Sequence, residues 1–195
     1  MNQKKLFEQI KKKRSFLCVG LDVDLKKIPS HLLSEPDPIF SFCKEIIDST
    51  NKYAIAYKPN IAFFESNGLN GWKSLEKVSD YLSFQYPNIF SIADAKRGDI
   101  GNTATQYAKA FFENLSFDSI TVNPYMGQDS VEPFLNFNNK HTILLTLTSN
   151  HGSDDFQFFG LPNKPLFEKV IEVTKSWKNS DRLMYVVGTN QIDYL

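Results

Sequence analysis

Ile89-Phe90-Ser91-Ile92-Ala93-Asp94-Ala95-Lys96-Arg97-Gly98-Asp99 is an apolar run that ends abruptly in charge. A short, continuous apolar segment with a polar terminus fits a β-strand covered on both faces whose last residues emerge into a loop. The same pattern recurs on either side of it. Phe16 to Asp22 and Ala54 to Lys58 precede it, and Ser119 to Val122, Thr142 to Thr148 and Leu183 to Gly188 follow. Helical periodicity fills the gaps: Lys4 to Arg14 with Leu6, Phe7 and Ile10 on one face, then Ile39 to Ser49, Gly71 to Phe84, Thr103 to Asn114, a weaker Gln128 to Phe137, and Leu166 to Trp177.

Strands alternating with helices imply right-handed parallel crossovers, hence an α/β sheet that is either open and doubly wound or closed into a barrel. Two features favour a TIM (β/α)8 barrel. Polar residues stand at successive strand ends (Asp22, Lys58, Asp94, Asn123, Ser149), as a ring of loops converging on one mouth requires. No glycine-rich turn follows the first strand, as a dinucleotide-binding sheet would need. A barrel of this kind uses eight strands and ~250 residues, whereas only about six βα units are readable here. The expectation is a single barrel domain over residues 1–195, apparently lacking the two C-terminal units. A partial or truncated chain would leave edges on its first and sixth strands.

The chain has 195 residues, with 22 basic and 22 acidic side chains in balance. That balance disfavours a nucleic-acid partner. No apolar run approaches the ~20 residues that cross a bilayer, and the charged N-terminal stretch lacks the apolar core of a secretory signal. A cytoplasmic protein with no membrane partner is expected. Cys18 and Cys43 sit in apolar settings and read as buried reduced thiols. His31, His141 and His151 form no ligand pair, so no metal site is expected. His31 and His141 read as loop or strand-edge residues. Lys11-Lys12-Lys13-Arg14 reads as a solvated helix end, and Phe63-Phe64, Phe111-Phe112 and Phe158-Phe159 as packing between helices and sheet.

The segment Asp94-Ala95-Lys96-Arg97-Gly98-Asp99-Ile100-Gly101-Asn102-Thr103 carries the chemistry. In extended geometry residues two apart share a face, so Asp94 and Lys96 would project together into the mouth. Opposite charges at Asp94 and Asp99 favour the ammonium form of Lys96, making it a proton donor rather than a nucleophile. Lys58 and Asp22, at the ends of the two preceding strands, would complete an alternating row of charges in a site sheltered from water. A D-x-K-x-x-D string by itself is as well explained by a charged surface turn. The shared placement at successive strand ends decides for function, because active sites of such barrels lie on that face.

Gly20-Leu21-Asp22, Tyr57-Lys58-Pro59-Asn60, Asp94-x-Lys96-x-x-Asp99-Ile100-x-x-Thr103, Val122-Asn123-Pro124-Tyr125 and Thr148-Ser149-Asn150 together resemble orotidine monophosphate decarboxylases, in the wording of their second bacterial subfamily. The resemblance implies decarboxylation of orotidine 5'-phosphate to UMP in de novo pyrimidine biosynthesis, without metal or organic cofactor. It implies that Lys96 protonates C6, that Asp94 lies beside the substrate carboxylate and orients Lys96, and that Lys58 bridges Asp94 and the ribose. Asp22 and Asn60 would contact ribose hydroxyls or help hold the row of charges. Asp99, Ile100 and Thr103 would reach into a neighbouring subunit's site, making a homodimer with shared active sites. Ser149, with Thr148, would hydrogen-bond the pyrimidine edge.

Two other readings compete. In a magnesium-dependent sugar-phosphate decarboxylase of the same superfamily, a glutamate ligand would stand where Lys58 is, and that lysine would repel a divalent cation. A non-catalytic pyrimidine-nucleotide-binding remnant is disfavoured by the intact Asp94, Lys96 and Asp99. The resemblance also implies a phosphate grip on loops after the seventh and eighth strands, so the 195 residues taken alone are expected to be inactive or weak. His151 reads as a solvated loop residue. Asp154, Asp155 and Phe156 to Gly160 read as a loop that closes over a ligand.

Overall fold

The structure is a computed structural model that describes residues 1–161 and 164–194. In chain order it contains α1 (Gln3–Lys13), β1 (Leu17–Leu21), α2 (Pro38–Thr50), β2 (Ala54–Pro59), α3 (Ile61–Glu65), α4 (Gly68–Gln85), β3 (Phe90–Arg97), α5 (Gly101–Lys109), β4 (Ser119–Val122), α6 (Gln128–Leu135), β5 (His141–Leu147), the short strands β6 (Gly160–Leu161) and β7 (Lys164–Pro165), α7 (Leu166–Thr174) and β8 (Leu183–Val187). Every helix and strand expected from the sequence is present, within a few residues of its expected ends. The chain divides into two compact units, residues 1–95 with 110–119 and residues 96–109 with 120–194.

In the first unit β1, β2 and β3 pair in parallel in that order. The register sets Lys58 beside Gly20, Pro59 beside Leu21 and Tyr57 beside Ser91, with Asn60 bridging to Asp94 just past the end of β2. β2 is buried at every position except half-buried Lys58, as an inner strand must be. β1 has one strand neighbour among the described residues and is exposed over most of its length. Cys18 is therefore exposed, against the expectation of a buried thiol, because its strand lies at an edge; Cys43, inside α2, is fully buried.

Helices close over this sheet through Ile47, Phe64, Leu75, Val78 and Phe111, all essentially inaccessible. Each such side chain contributes roughly 1.5–3 kcal/mol relative to exposure. Gly71 lies inside α4 because a Cβ there would come 1.8 Å from the Phe64 carbonyl oxygen, so glycine lets α3 and α4 touch backbone to backbone. The basic run at the end of α1 is not wholly solvated. Lys13 Nζ donates to the Asn51 and Ala54 carbonyls at 2.6 and 2.8 Å, where cations favour a helix C-terminus.

The second unit carries β4, β5 and β8 in that order, with β5 and β8 parallel from Thr142 beside Leu183 to Leu147 beside Val187. β8, the expected sixth strand, is half-buried throughout, consistent with a single strand neighbour among the described residues. Small buried residues, Ala104 and Ala108, form the inner face of α5. Phe158 packs against Phe167 and Tyr194 with centroids 5.6 and 5.4 Å apart. Phe159 does not pack as expected: it is 78% exposed. His141 is buried as the first residue of β5, while His31 and His151 are exposed in 3-10 turns. No helix among the described residues is long and apolar enough to cross a membrane.

Asp37 ties two helices together and yields a test. Its carboxylate caps α2 by accepting the Phe40 N–H at 3.1 Å, and it accepts from Ser74 Oγ and Lys77 Nζ of α4, both at 2.7 Å. Burial pushes this carboxyl up, but the hydrogen bonds from Lys77, Ser74 and Phe40 outweigh it and hold it below the ordinary aspartate range. A depressed folded value stabilises above the unfolded value of ~3.9 and loses that contribution as pH falls through the folded value. In urea titrations Asp37→Ala should cost about 1–2 kcal/mol at pH 7. The gap to wild type should shrink as the pH is lowered below about 4; a gap that widens in acid would contradict the assignment.

Candidate active site

Within the first unit, the strand ends bring four expected residues into two contacts. Lys58 Nζ pairs with Asp94 Oδ2 at 2.9 Å, and Asn60 Nδ2 donates to Asp22 Oδ2 at 3.0 Å. Asp94 is 8% exposed, so its charge is held largely out of water and requires a cation partner. Lys58 provides one from the neighbouring strand. The Asn60 N–H donates to the Leu21 carbonyl at 3.3 Å, which ties the end of β2 to the end of β1. Asp22 is exposed, leaving room beside its Asn60 contact for a ligand hydroxyl.

In the second unit the chemistry-bearing segment begins at Lys96, which has a backbone φ of +48°, the left-handed region that non-glycine residues rarely adopt. This corrects one step of the sequence argument. β3 continues through Arg97, but it is not extended at Lys96, so strand alternation does not set the direction of this side chain. The kink has identifiable supports. The Lys96 N–H donates to Thr121 Oγ1 of β4 at 2.9 Å, and the Asn123 N–H donates to the Arg97 carbonyl at 2.8 Å. Backbone strain of this kind costs of order 1–3 kcal/mol and concentrates at functional sites.

The residues after the kink follow in order. Half-buried Asp99 accepts the Ile100 N–H through Oδ1 at 2.8 Å, Ile100 is 52% exposed, and exposed Thr103 lies in the first turn of α5. Thr148 and Ser149 follow β5. The Thr148 N–H is taken by Gln157 Oε1 at 2.7 Å, and Asn190 Nδ2 donates to the Ser149 carbonyl at 3.1 Å. Gly188 fits beneath Ser149, where an added Cβ would lie 3.0 Å from Ser149 Cα. Asp154 and Asp155 lie in a 3-10 turn over His151–Asp155 within the segment after β5.

Thr121, Gln157 and Asn190 were not singled out from the sequence. Thr121 had a readable signal, a polar residue between the apolar Ile120 and Val122. Gln157 and Asn190 had none, because their partners lie 9 and 41 residues away.

A family model described as "Orotidine 5'-phosphate decarboxylase / HUMPS family" matches residues 15–187. The chain is similar to orotidine 5'-phosphate decarboxylase of Christiangramia forsetii, with 64% identity over all of this chain and 72% of the relative. It is similar to that of Flavobacterium johnsoniae at 60% identity, over all of this chain and 71% of the relative. Among solved structures, Leishmania donovani OMP decarboxylase superposes with a TM-score of 0.81 at 38% identity, covering 94% of this chain and 70% of that one. Leishmania donovani UMP synthase gives 0.86 at 37% identity, covering all of this chain and 41% of that one. These likenesses settle the fold in favour of the barrel over an open doubly wound sheet. From strand-end charges, family match and fold together, the chain belongs to the orotidine 5'-phosphate decarboxylase / HUMPS family.

Proposed function

We propose that this chain decarboxylates orotidine 5'-phosphate to UMP, with Lys96 as the proton donor. The observation that carries the reading is the largely buried Asp94 paired to Lys58 at 2.9 Å, in a chain 64% identical to a protein named for that reaction. In the reaction the C6–carboxylate bond breaks, carbon dioxide leaves, and the electron pair stays on C6 in the plane of the ring, where no ring carbonyl can delocalise it. The Lys96 ammonium stabilises that pair and then transfers its proton to form the C6–H bond. Preorganised charge of this kind is usually the largest single source of rate enhancement. Asp94 lies beside the departing carboxylate and orients Lys96, Lys58 joins Asp94 to the ribose, and Asp22 with Asn60 takes ribose hydroxyls. Ser149 and Thr148 meet the pyrimidine edge.

The magnesium-dependent sugar-phosphate alternative is disfavoured by Lys58. A cation already paired with Asp94 stands where that chemistry calls for a glutamate ligand. A binding remnant is disfavoured because the charged residues of the centre are all retained. A cytoplasmic setting belongs to the same proposal, since a nucleotide monophosphate does not cross a bilayer unaided.

The partner is a second copy of the chain. Exposed Ile100, with Asp99 and Thr103 beside it in sequence, supports a contact in which these residues complete the neighbour's site. Lys96→Ala should abolish the turnover of orotidine 5'-phosphate, expected to be weak for these 195 residues taken alone and followed by ultraviolet absorbance, while UMP binding persists; turnover within ~10-fold of the unsubstituted chain would remove Lys96 from the chemistry. Mixing Lys96→Ala with Asp99→Ala subunits tests sharing. Half of randomly formed dimers are mixed and each has one intact site, so about one quarter of wild-type activity should return. No recovery after verified subunit exchange would place Asp99 in its own subunit's site.

A further inference from the structure

The loop after β5 is wired with a defined proton order, and its anchor is a residue to which the proposed chemistry gives no part. The backbone N–H of Thr148 can only donate, so the Gln157 atom 2.7 Å away is the carbonyl oxygen Oε1. The other side-chain atom, Nε2, is then the donor to Thr148 Oγ1 at 2.8 Å. Thr148 Oγ1 accepts there and sends its single proton to Asn150 Oδ1 at 2.6 Å. Gln157 is itself fixed at both backbone ends. Its N–H donates to the Ser153 carbonyl at 2.8 Å, and its carbonyl accepts the Phe167 N–H at 3.1 Å at the start of α7.

This order leaves different groups open on neighbouring residues. The proton of the Thr148 hydroxyl is committed to Asn150. Ser149 is exposed, and neither its N–H nor its hydroxyl makes a hydrogen bond among the described residues. Its carbonyl is held by Asn190, and Gly188 seats it from below. A fixed N–H donor beside a hydroxyl that can accept matches the O4 and N3–H of a uracil ring. The same pair meets cytosine badly, because the exocyclic amino group opposes the N–H donor with a second donor.

We propose that Gln157 is a positioning residue that holds Thr148 so that Ser149 selects uracil over cytosine. This rests on the proposed placement of the base at Thr148 and Ser149. Gln157 acts through the backbone and touches no substrate itself.

Binding of UMP, CMP and ribose 5-phosphate, measured by calorimetry on wild type, Gln157→Met, Gln157→Glu and Ser149→Ala, separates the possibilities. Gln157→Met removes both polar atoms at similar volume. It should weaken UMP about 10-fold, narrow the UMP-to-CMP ratio, and leave ribose 5-phosphate within about 2-fold. Gln157→Glu keeps the acceptor for the Thr148 N–H and should retain most of the ratio. It decides the case even if the Met variant fails to fold: a retained ratio supports the anchor and a lost ratio overturns it. Equal loss of UMP and ribose 5-phosphate in Gln157→Met would show a general structural role and overturn the proposal. Loss of selectivity in Ser149→Ala but not in Gln157→Met would overturn the positioning role while leaving the base at Ser149. A wild type that does not prefer UMP to CMP, with Ser149→Ala unchanged, would overturn the placement of the base and the inference with it.

Discussion

A carboxylate held out of water needs a cation, and the pairing of Asp94 with Lys58 is the contact on which the candidate residues of the first unit depend. An isolated buried carboxylate would cost several kcal/mol or take up a proton. Parallel pairing of β2 with β3 removes that difficulty, because the register that aligns Tyr57 with Ser91 brings the ends of both strands to the same level. One step further, Asn60 bridges to Asp94 and also reaches Asp22 beyond β1. A slip of one residue in this ladder would turn Lys58 to the opposite face and leave Asp94 without its partner. The sheet register and the site electrostatics are thus one constraint.

In the second unit the candidate residues are set by backbone shape. Lys96 sits in a left-handed conformation at the end of β3, and the hydroxyl of Thr121 accepts the N–H that a regular ladder would otherwise use. The loop after β5 follows the same logic, with Gln157 and Asn190 occupying backbone groups on either side of the Thr148–Ser149 junction. In both places a side chain elsewhere in the sequence holds the backbone of a segment that carries candidate site residues. Such supports make a site rigid without contributing a reacting atom.

The apolar strands and amphipathic helices were legible because burial imposes its period directly on the sequence. β2, β4 and β5 are almost wholly buried, and short apolar or β-branched runs such as Ala54-Ile55-Ala56 and Ile143-Leu144-Leu145 made them readable. The charged strand ends were legible for a related reason, since ionisable residues closing such runs have few structural uses. α3 escaped notice because Ile61-Ala62-Phe63-Phe64 is too short to show a helical period. α4 begins earlier than its periodicity suggested, since Gly68 and Gly71 resemble breakers until the contact with Phe64 is known. Cys18 was misjudged because neighbouring residue types cannot distinguish an inner strand from an edge. The kink at Lys96 left no trace in composition.

A double-mutant cycle on Lys58 and Asp94 probes the central contact most directly, using kcat/KM for orotidine 5'-phosphate with Lys58→Met, Asp94→Asn and the pair together. If the two act as one unit, each single change should cost at least ~10³-fold, and the double variant should lie within ~10-fold of the worse single. Losses that multiply across the cycle would mean that the two groups act independently and that their ion pair is incidental to catalysis.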